Sequence, residues 1–403
     1  MRRLFLTGEY LNGVNYIRER VIEVDLLLNN DQMAIQKMAR DFAEKAVAPR
    51  AAEIDNSSEF PQDLFNLMVQ QGFTGLCIPE EYGGSEGDDI DKALVVSEIA
   101  KKDASTAGIL SIHMVFQSIV NAFGSEEQKK KFLPDVTSGG ALGAFALTEP
   151  GAGSDAGSAV TKAIYDPETD EYVINGTKCF ISGGNRAKYI ALIALTQPEK
   201  KIHGFSCIVV EKGTPGFTVG KIEHKMGLHG SNTAELIFDN CRVPKSNLIG
   251  EEGNGFKYAM IALDGARIGI AAQAVGIAEG ALEVAIKYSK ERVQFGKPIC
   301  KLQGIQWYLA DMATKVEAAK WLTFRAASLK IAGQPFTKEA AMAKVNASEA
   351  ARYVTNLALQ IHGGYGYMCE YPLERMYRDA KITEIYEGTT EINKIVISRA
   401  LLK

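Results

Sequence analysis

The stretch Arg378 to Ile395 holds a carboxylate at a point where chemistry is feasible. Glu387 follows the apolar-aromatic pair Ile385-Tyr386 and precedes Gly388 and two threonines. A carboxylate at such a break in a helical pattern can face a cavity. The same residues also describe a solvated Glu ahead of a helix capped by Thr389 or Thr390. Four further segments offer binding chemistry, each with a plainer reading beside it. Phe145 to Asp155, F-A-L-T-E-P-G-A-G-S-D, superficially resembles a dinucleotide fingerprint. Ser158 to Tyr165 then runs on as a strand, where the fingerprint needs a helix N-terminus, so a Rossmann reading fails. A Gly-rich loop between strands still presents N–H groups to an anion or ring edge, or is simply a hairpin loop. In Lys178 to Gly184, Phe180 can lie against a flat ligand with Ser182 near a heteroatom, or be core and turn residues. Arg292 to Pro298 offers Arg292 to a phosphate and Phe295 to a heterocycle, or a basic residue complementing a helix C-terminus. Gln360 to Tyr367, Q-I-H-G-G-Y-G-Y, reads as a glycine helix cap or as backbone packed on a ligand. Asp264 and Arg267 form an i,i+3 pair on a helix.

The elements that must position these residues follow from the periodicity. From Asn30, a candidate cap, Met33, Met38 and Phe42 recur at helical intervals, and Pro49 marks the end of that helix. Pro61 starts another, and residues 90–134 read as two or three more. The period changes at Ser138-Gly139-Gly140. Short β-rich runs follow at Ala144 to Leu147, Tyr172 to Ile174, Tyr189 to Leu195, Phe205 to Val210 and Ala234 to Phe238, separated by turn signals such as Asn175-Gly176. With no helix of useful length between them, an antiparallel sheet or small barrel is expected rather than βαβ units. After Gly255 the helical period returns over residues 260–290, 302–332 and 337–361, with a shorter piece after Thr390, lengths that suit a bundle. The expected organisation is an α+β multidomain chain: an extension over residues 1–29, a helical domain over 30–138, a β domain over 139–250 and a helical bundle over 251–403.

Composition narrows the function classes. The 403 residues exceed one hydrophobic core. Hydrophobic content of 46% and charged content of 23% are those of a soluble globular protein. A net charge of −4 without a basic run argues against nucleic acid or an anionic membrane as partner. Six scattered cysteines without a C-x-x-C pair indicate neither a disulfide framework nor a zinc site. His224 and His229, five apart, are not a metal pair, and no metal is expected. No apolar run has the length of a membrane span. Arg2, Arg3, Arg18 and Arg20 are interleaved with Glu9, Glu19 and Glu23, which spoils a transit-peptide reading.

Taken together, the motifs L-T-E-P-G-A-G-S-D, E-R-V-Q-F-G-K, Q-I-H-G-G-Y-G-Y and R-D-A-K-I-T-E-I-Y-E-G-T resemble those of the acyl-CoA dehydrogenase family. The resemblance runs from about residue 30 to the C-terminus. It implies an N-terminal helical domain, a middle antiparallel β domain and a C-terminal four-helix bundle in a homotetramer. It also implies FAD, acyl-CoA as substrate and electron-transfer flavoprotein as partner. By this resemblance Glu387 takes the position of the base that removes the α-proton while the β-hydride passes to the flavin. Such a base must be desolvated to raise its pKa, and the thioester carbonyl must be polarised. The resemblance puts Phe145, Leu147, Thr148, Gly153, Ser154, Phe180, Ile181 and Ser182 at the flavin, where many relatives carry Trp and Thr at the positions of Phe180 and Ser182. Arg292, Gln294, Phe295, Gln360, Gly363 and Gly364 would reach the FAD of a neighbouring subunit, and Thr389 and Glu391 would contact the cofactor. Ser154, Asp264, Arg267, Tyr386 and Gly388 would meet the acyl-CoA.

Some relatives carry the base on the long helix, at the position of Ala266 here. Alanine accepts no proton, which disfavours isovaleryl-type and long-chain-type chemistry. The segment Ile109 to Phe116 is expected to border the acyl pocket, and bulky Met114 and Phe116 suggest a short acyl chain, butyryl-CoA first. The expected reaction is oxidation of a short acyl-CoA to trans-2-enoyl-CoA, in the bacterial cytoplasm or, in a eukaryote, the mitochondrial matrix. The alternatives are an enoyl-CoA or arylacrylyl-CoA reductase of the same fold in an electron-bifurcating complex, and a non-catalytic DNA-binding relative. The net charge and the retained Glu387 argue against the last.

Overall fold

The computed structural model describes residues 28–402. The extension expected over residues 1–29 falls almost wholly outside the described residues. The N-terminal part is helical: α1 (Asn30–Phe42), α2 (Ala51–Ser57), α3 (Gln62–Gln70), α4 (Asp89–Ala100), α5 (Ala104–Phe123) and α6 (Glu126–Thr137). Its helix starts are set by local chemistry. The first cap is Asn29, one residue before the expected Asn30. Its side chain accepts from Gln32 N at 2.8 Å and its N–H donates to Gln32 Oε1 at 3.1 Å. The same reciprocal box recurs at Asp88 and Ser125.

The middle segment forms one eight-stranded sheet in the order β6-β7-β3-β2-β4-β5-β8, with β1 paired to β4. The strands are β1 (Gly143–Ala146), β2 (Lys162–Asp166), β3 (Glu171–Ser182), β4 (Tyr189–Leu195), β5 (Phe205–Glu211), β6 (Phe217–Ile222), β7 (Thr233–Pro244) and β8 (Leu248–Ile249). The sheet departs from a purely antiparallel arrangement, because β1 and β2 both pair with β4 in parallel. A parallel pair needs a long crossover. Here the loop after β1 and the β2–β3 hairpin supply it in place of a helix.

The C-terminal part holds α7 (Gly255–Glu291), α8 (Gln303–Ile331), α9 (Thr337–His362), α10 (Leu373–Ile382) and α11 (Thr390–Leu401). The helix α7 spans 37 residues, about 55 Å at ~1.5 Å per residue. Its glycines allow close approach: a Cβ on Gly276 would lie 2.7 Å from Ala100 Cβ of α4. Helices α5 and α7 are long and apolar enough to cross a membrane, contrary to the expectation from apolar runs. Their apolar windows are 72% and 78% buried inside the fold, as core helices are. The three parts meet where Asp379 of α10 accepts from Leu228 N of the β6–β7 loop at 2.6 Å. Arg378 beside it reaches Asp55 of α2.

Candidate active site

Glu387 lies in the link between α10 and α11, and the local chain explains its exposure to chemistry. Thr389 caps α11, its Oγ1 accepting from Ile392 N at 3.3 Å. Capping holds the preceding two residues out of the helix, with Glu387 at φ +54° and Gly388 at φ +90°. A left-handed glutamate is strained, and it persists because its surroundings fix it. Arg267 Nε of α7 donates to Glu387 O at 3.4 Å. Lys344 Nζ of α9 and Asn393 Nδ2 of α11 each donate to Gly388 O at 2.7 Å. Tyr386 donates its hydroxyl to Gln273 Oε1 of α7, whose amide donates on to Ala104 O at 2.7 Å.

The Glu387 side chain is not the solvated carboxylate of the plainer reading. Its Oε2 is sealed from solvent and has no hydrogen-bond partner. Burial pushes its pKa from 4.5 up to about 7, against the downward pull of Arg267 and then Lys344. The Glu387 backbone N–H has no acceptor among the described residues. A poised carboxyl and a free N–H on one residue can exchange a proton with a carbon acid and polarise the carbonyl beside it. The Asp264–Arg267 pair lies beneath this residue, with Asp264 also accepting from Thr337 Oγ1 at 2.5 Å.

A second group gathers at the sheet. Lys178 Nζ donates to Leu147 O and to Glu149 Oε1, both at 2.8 Å, and Cys179 N donates to Thr148 O at 3.0 Å. Glu149 accepts in addition from Val160 N at 2.7 Å and Thr161 N at 3.0 Å. These bonds bring the Phe145–Ser154 and Phe180–Ser182 segments side by side. Between Lys178 and Ile181 the β3–β7 register slips, and the bulge turns Phe180 outward at φ +57°, its side chain 64% exposed. A Cβ on Gly151 or Gly153 would meet nothing within 4 Å, so both glycines border open space. An exposed ring, open glycine backbone and the Thr148, Ser154 and Ser182 hydroxyls suit a planar dinucleotide cofactor.

The third group stands apart. Arg292 and Phe295 follow the C-terminus of α7, where Phe295 is 89% exposed at φ +51° in a two-stranded hairpin. Arg292 lies over the Tyr365 ring at 5.5 Å, next to exposed Gln360, Gly363 and Gly364. From Asp264 to Arg292 the chain runs along one helix for ~42 Å. This patch therefore lies too far from Glu387 to share one site within a single chain.

The segment Ile109 to Phe116 fits its expected place only in part. Phe116 is fully buried against Gly143 and stacked on Tyr189 with centroids 6.0 Å apart. It fills the core. Met114 is also buried, in the cluster that holds Ile109 and Leu110. Sequence reasoning missed Lys344, Gln273, Lys178 and Glu149. Among the described residues no cluster of metal-ligating side chains occurs, and all six cysteines are free thiols.

Three consecutive stretches match the acyl-CoA dehydrogenase domain models: the N-terminal domain over residues 29–140, the middle domain over 144–241 and the C-terminal domain over 253–402. The acryloyl-CoA reductase (NADH) of Anaerotignum propionicum is 60% identical over 386 residues, 96% of this chain and 98% of that one. The butyryl-CoA dehydrogenase structure from Megasphaera elsdenii superposes with a TM-score of 0.92 at 48% identity, covering 94% of this chain and 100% of that one. A structure described as the electron transferring flavoprotein of Acidaminococcus fermentans, in the context of flavin-based electron bifurcation, also matches. Its TM-score is 0.92 at 51% identity, over 94% of this chain and 100% of that one.

Proposed function

From the fact that the chain belongs to the acyl-CoA dehydrogenase family, a tetrameric family of FAD oxidoreductases, we propose that it interconverts a short-chain acyl-CoA and its trans-2-enoyl-CoA, with Glu387 moving the α-proton. The observation that carries this reading is the sealed, unpartnered Oε2 of Glu387 beside two cationic side chains. An α-proton next to a thioester is weakly acidic, so the base must be desolvated and the carbonyl held by a donor. The carboxyl supplies the first condition and the free N–H of Glu387 the second. Bound FAD supplies the acceptor for the β-hydride. On one chain Phe145, Leu147, Thr148, Gly153, Ser154, Phe180, Ile181 and Ser182 would hold it, with Thr389 and Glu391 beside Glu387. Arg292, Gln294, Phe295, Gln360, Gly363 and Gly364 would close the site of a neighbouring subunit, in keeping with their distance from Glu387. Tyr386, Gly388 and Ser154 would meet the acyl-CoA, and Arg267 with Asp264 would support the catalytic link from below. The electron partner is electron-transfer flavoprotein. The reaction belongs in the bacterial cytoplasm, or in the mitochondrial matrix of a eukaryote.

A carboxyl titrating near neutrality serves equally as base and as acid, so the same site can run towards the acyl-CoA. The 60% identity to a protein named acryloyl-CoA reductase (NADH) favours this second reading, reduction of a short 2-enoyl-CoA with electrons relayed from NADH. Anaerobic titration with propionyl-CoA, butyryl-CoA and longer acyl-CoAs should bleach the flavin most readily with the short chains; no bleaching by any acyl-CoA would end the dehydrogenase reading. Turnover of acryloyl-CoA or crotonyl-CoA with NADH and the electron-transfer flavoprotein separates the two directions. Glu387→Gln should abolish flavin reduction with FAD still bound.

A further inference from the structure

Of the two cations that face Glu387, the one with the larger pull shares its charge with an ion-pair partner. Arg267 is ion-paired with Asp264. Lys344 is different: its side chain is fully buried, and among the described residues no carboxylate lies within 4.0 Å of its ammonium. Its one hydrogen bond goes to a neutral carbonyl, Gly388 O at 2.7 Å. A buried ammonium without an ion-pair partner is costly. Here it stands close to a carboxylate whose buried Oε2 also lacks a hydrogen-bond partner. The two charges are held near each other yet out of contact, which leaves the carboxylate oxygen open to a substrate proton.

We propose that Lys344 is a positioning residue for the reaction at Glu387: it fixes the left-handed link through the Gly388 carbonyl and supplies an unpaired positive charge that, together with Arg267, favours the ionised Glu387 carboxylate. This rests on the reading of Glu387 as the proton acceptor. The charge balance around the pair supports it. Arg267 and Asp264 face it from α7, Lys344 from α9, and Glu384, Tyr386 and Glu391 from the link and α11. Glu384 is engaged by Arg352 and Lys381, and Glu391 is exposed. Burial lowers the Lys344 pKa to about 8, and the Glu387 carboxylate is the largest influence opposing that fall. Direct contact between the two would have quenched the base. Complete separation would have left Arg267 as its sole cationic neighbour.

The test is the pH dependence of single-turnover flavin reduction by a short acyl-CoA, measured on the FAD-loaded tetramer for the wild type, K344M, K344Q and K344R. Loss of the ammonium should move the acid limb of the rate up by about one pH unit or more. The rate would then fall roughly tenfold at low pH and recover towards alkaline pH. K344R should return the limb towards its wild-type position. FAD content and melting temperature report whether each variant folds, and K344Q carries the test if K344M does not. A uniform loss of rate at all pH values, or an unshifted limb, overturns the proposal. E387Q is the control: if it still reduces the flavin, the reading of Glu387 falls; if it is inactive while K344M keeps the wild-type limb, only the role of Lys344 falls.

Discussion

Two lysine–glutamate pairs of the chain are built in opposite ways. In the sheet, Lys178 touches Glu149 at 2.8 Å, and Glu149 accepts two further backbone N–H groups. Burial opposes ionisation of Glu149, but Lys178 and these donors outweigh it and hold the carboxyl below its ordinary range. In the bundle, Lys344 and Glu387 make no contact, the Glu387 Oε2 is sealed without a partner, and the carboxyl rises to about 7. Each pair adjoins a non-glycine residue in the left-handed region, Phe180 in one case and Glu387 itself in the other. The difference teaches what separates a structural ion pair from a chemical one. Saturating a buried carboxylate with donors freezes its charge, whereas leaving one oxygen bare keeps its proton mobile.

Breaking the saturated pair should have the largest effect on stability. Lys178→Met strands Glu149 as an unpaired buried charge and should cost about 3–5 kcal/mol in denaturant unfolding. Adding Glu149→Gln should recover part of that loss. A loss under ~1 kcal/mol for Lys178→Met would mean that water reaches the pair, and the contrast with Lys344 would dissolve.

The unsaturated carboxyl should reveal itself through the slope of stability with pH. The folded pKa of Glu387 is raised from 4.5 to about 7. Its contribution is therefore fully present below 4.5 and is lost as pH rises through 7, because the charged form must be buried. Glu387→Gln should gain about 2–3 kcal/mol over the wild type between pH 4.5 and pH 8. Glu149→Gln should show no such gain, because the lowered pKa of Glu149 places its stabilising charge above its ordinary range and loses it only as pH falls. Parallel unfolding curves for Glu387→Gln and wild type across that window would contradict a buried, poised carboxyl.

These contrasts were unevenly legible in the sequence. Helical and alternating periods gave the order of the elements, and the shared motifs gathered Glu387, Phe180, Arg292 and Gln360 into one hypothesis. Lys344 was overlooked although its signal was present. It lies in a stripe with Ala340, Ala343, Ala347 and Ala351, all fully buried, so the helical period alone puts a lysine on the inward face. Lys178 likewise follows Tyr172 and Ile174 at the buried alternation of β3. Phe116 was misread for the converse reason: a bulky apolar residue on an apolar helix looks alike whether it lines a cavity or fills a core. The parallel seating of β1 depended on pairing across more than forty residues, and no local period encodes that.

The left-handed residues offer the finest division of the two regions. At Glu387 the conformation carries a side chain with a sealed, unpartnered Oε2, and glycine would relieve it only by removing that carboxyl. At Phe180 the ring is exposed and the strain is local, so Phe180→Gly removes a left-handed penalty of roughly 1 kcal/mol and little packing, while glycine returns some of it as unfolded-chain entropy. The deflavinated protein should therefore change stability by less than ~1 kcal/mol, yet release FAD more readily on dilution, as read by flavin fluorescence. A larger destabilisation without the cofactor would mean that the ring packs on the protein itself. Unchanged FAD release would mean that the bulge is not shaped to present the ring to the flavin.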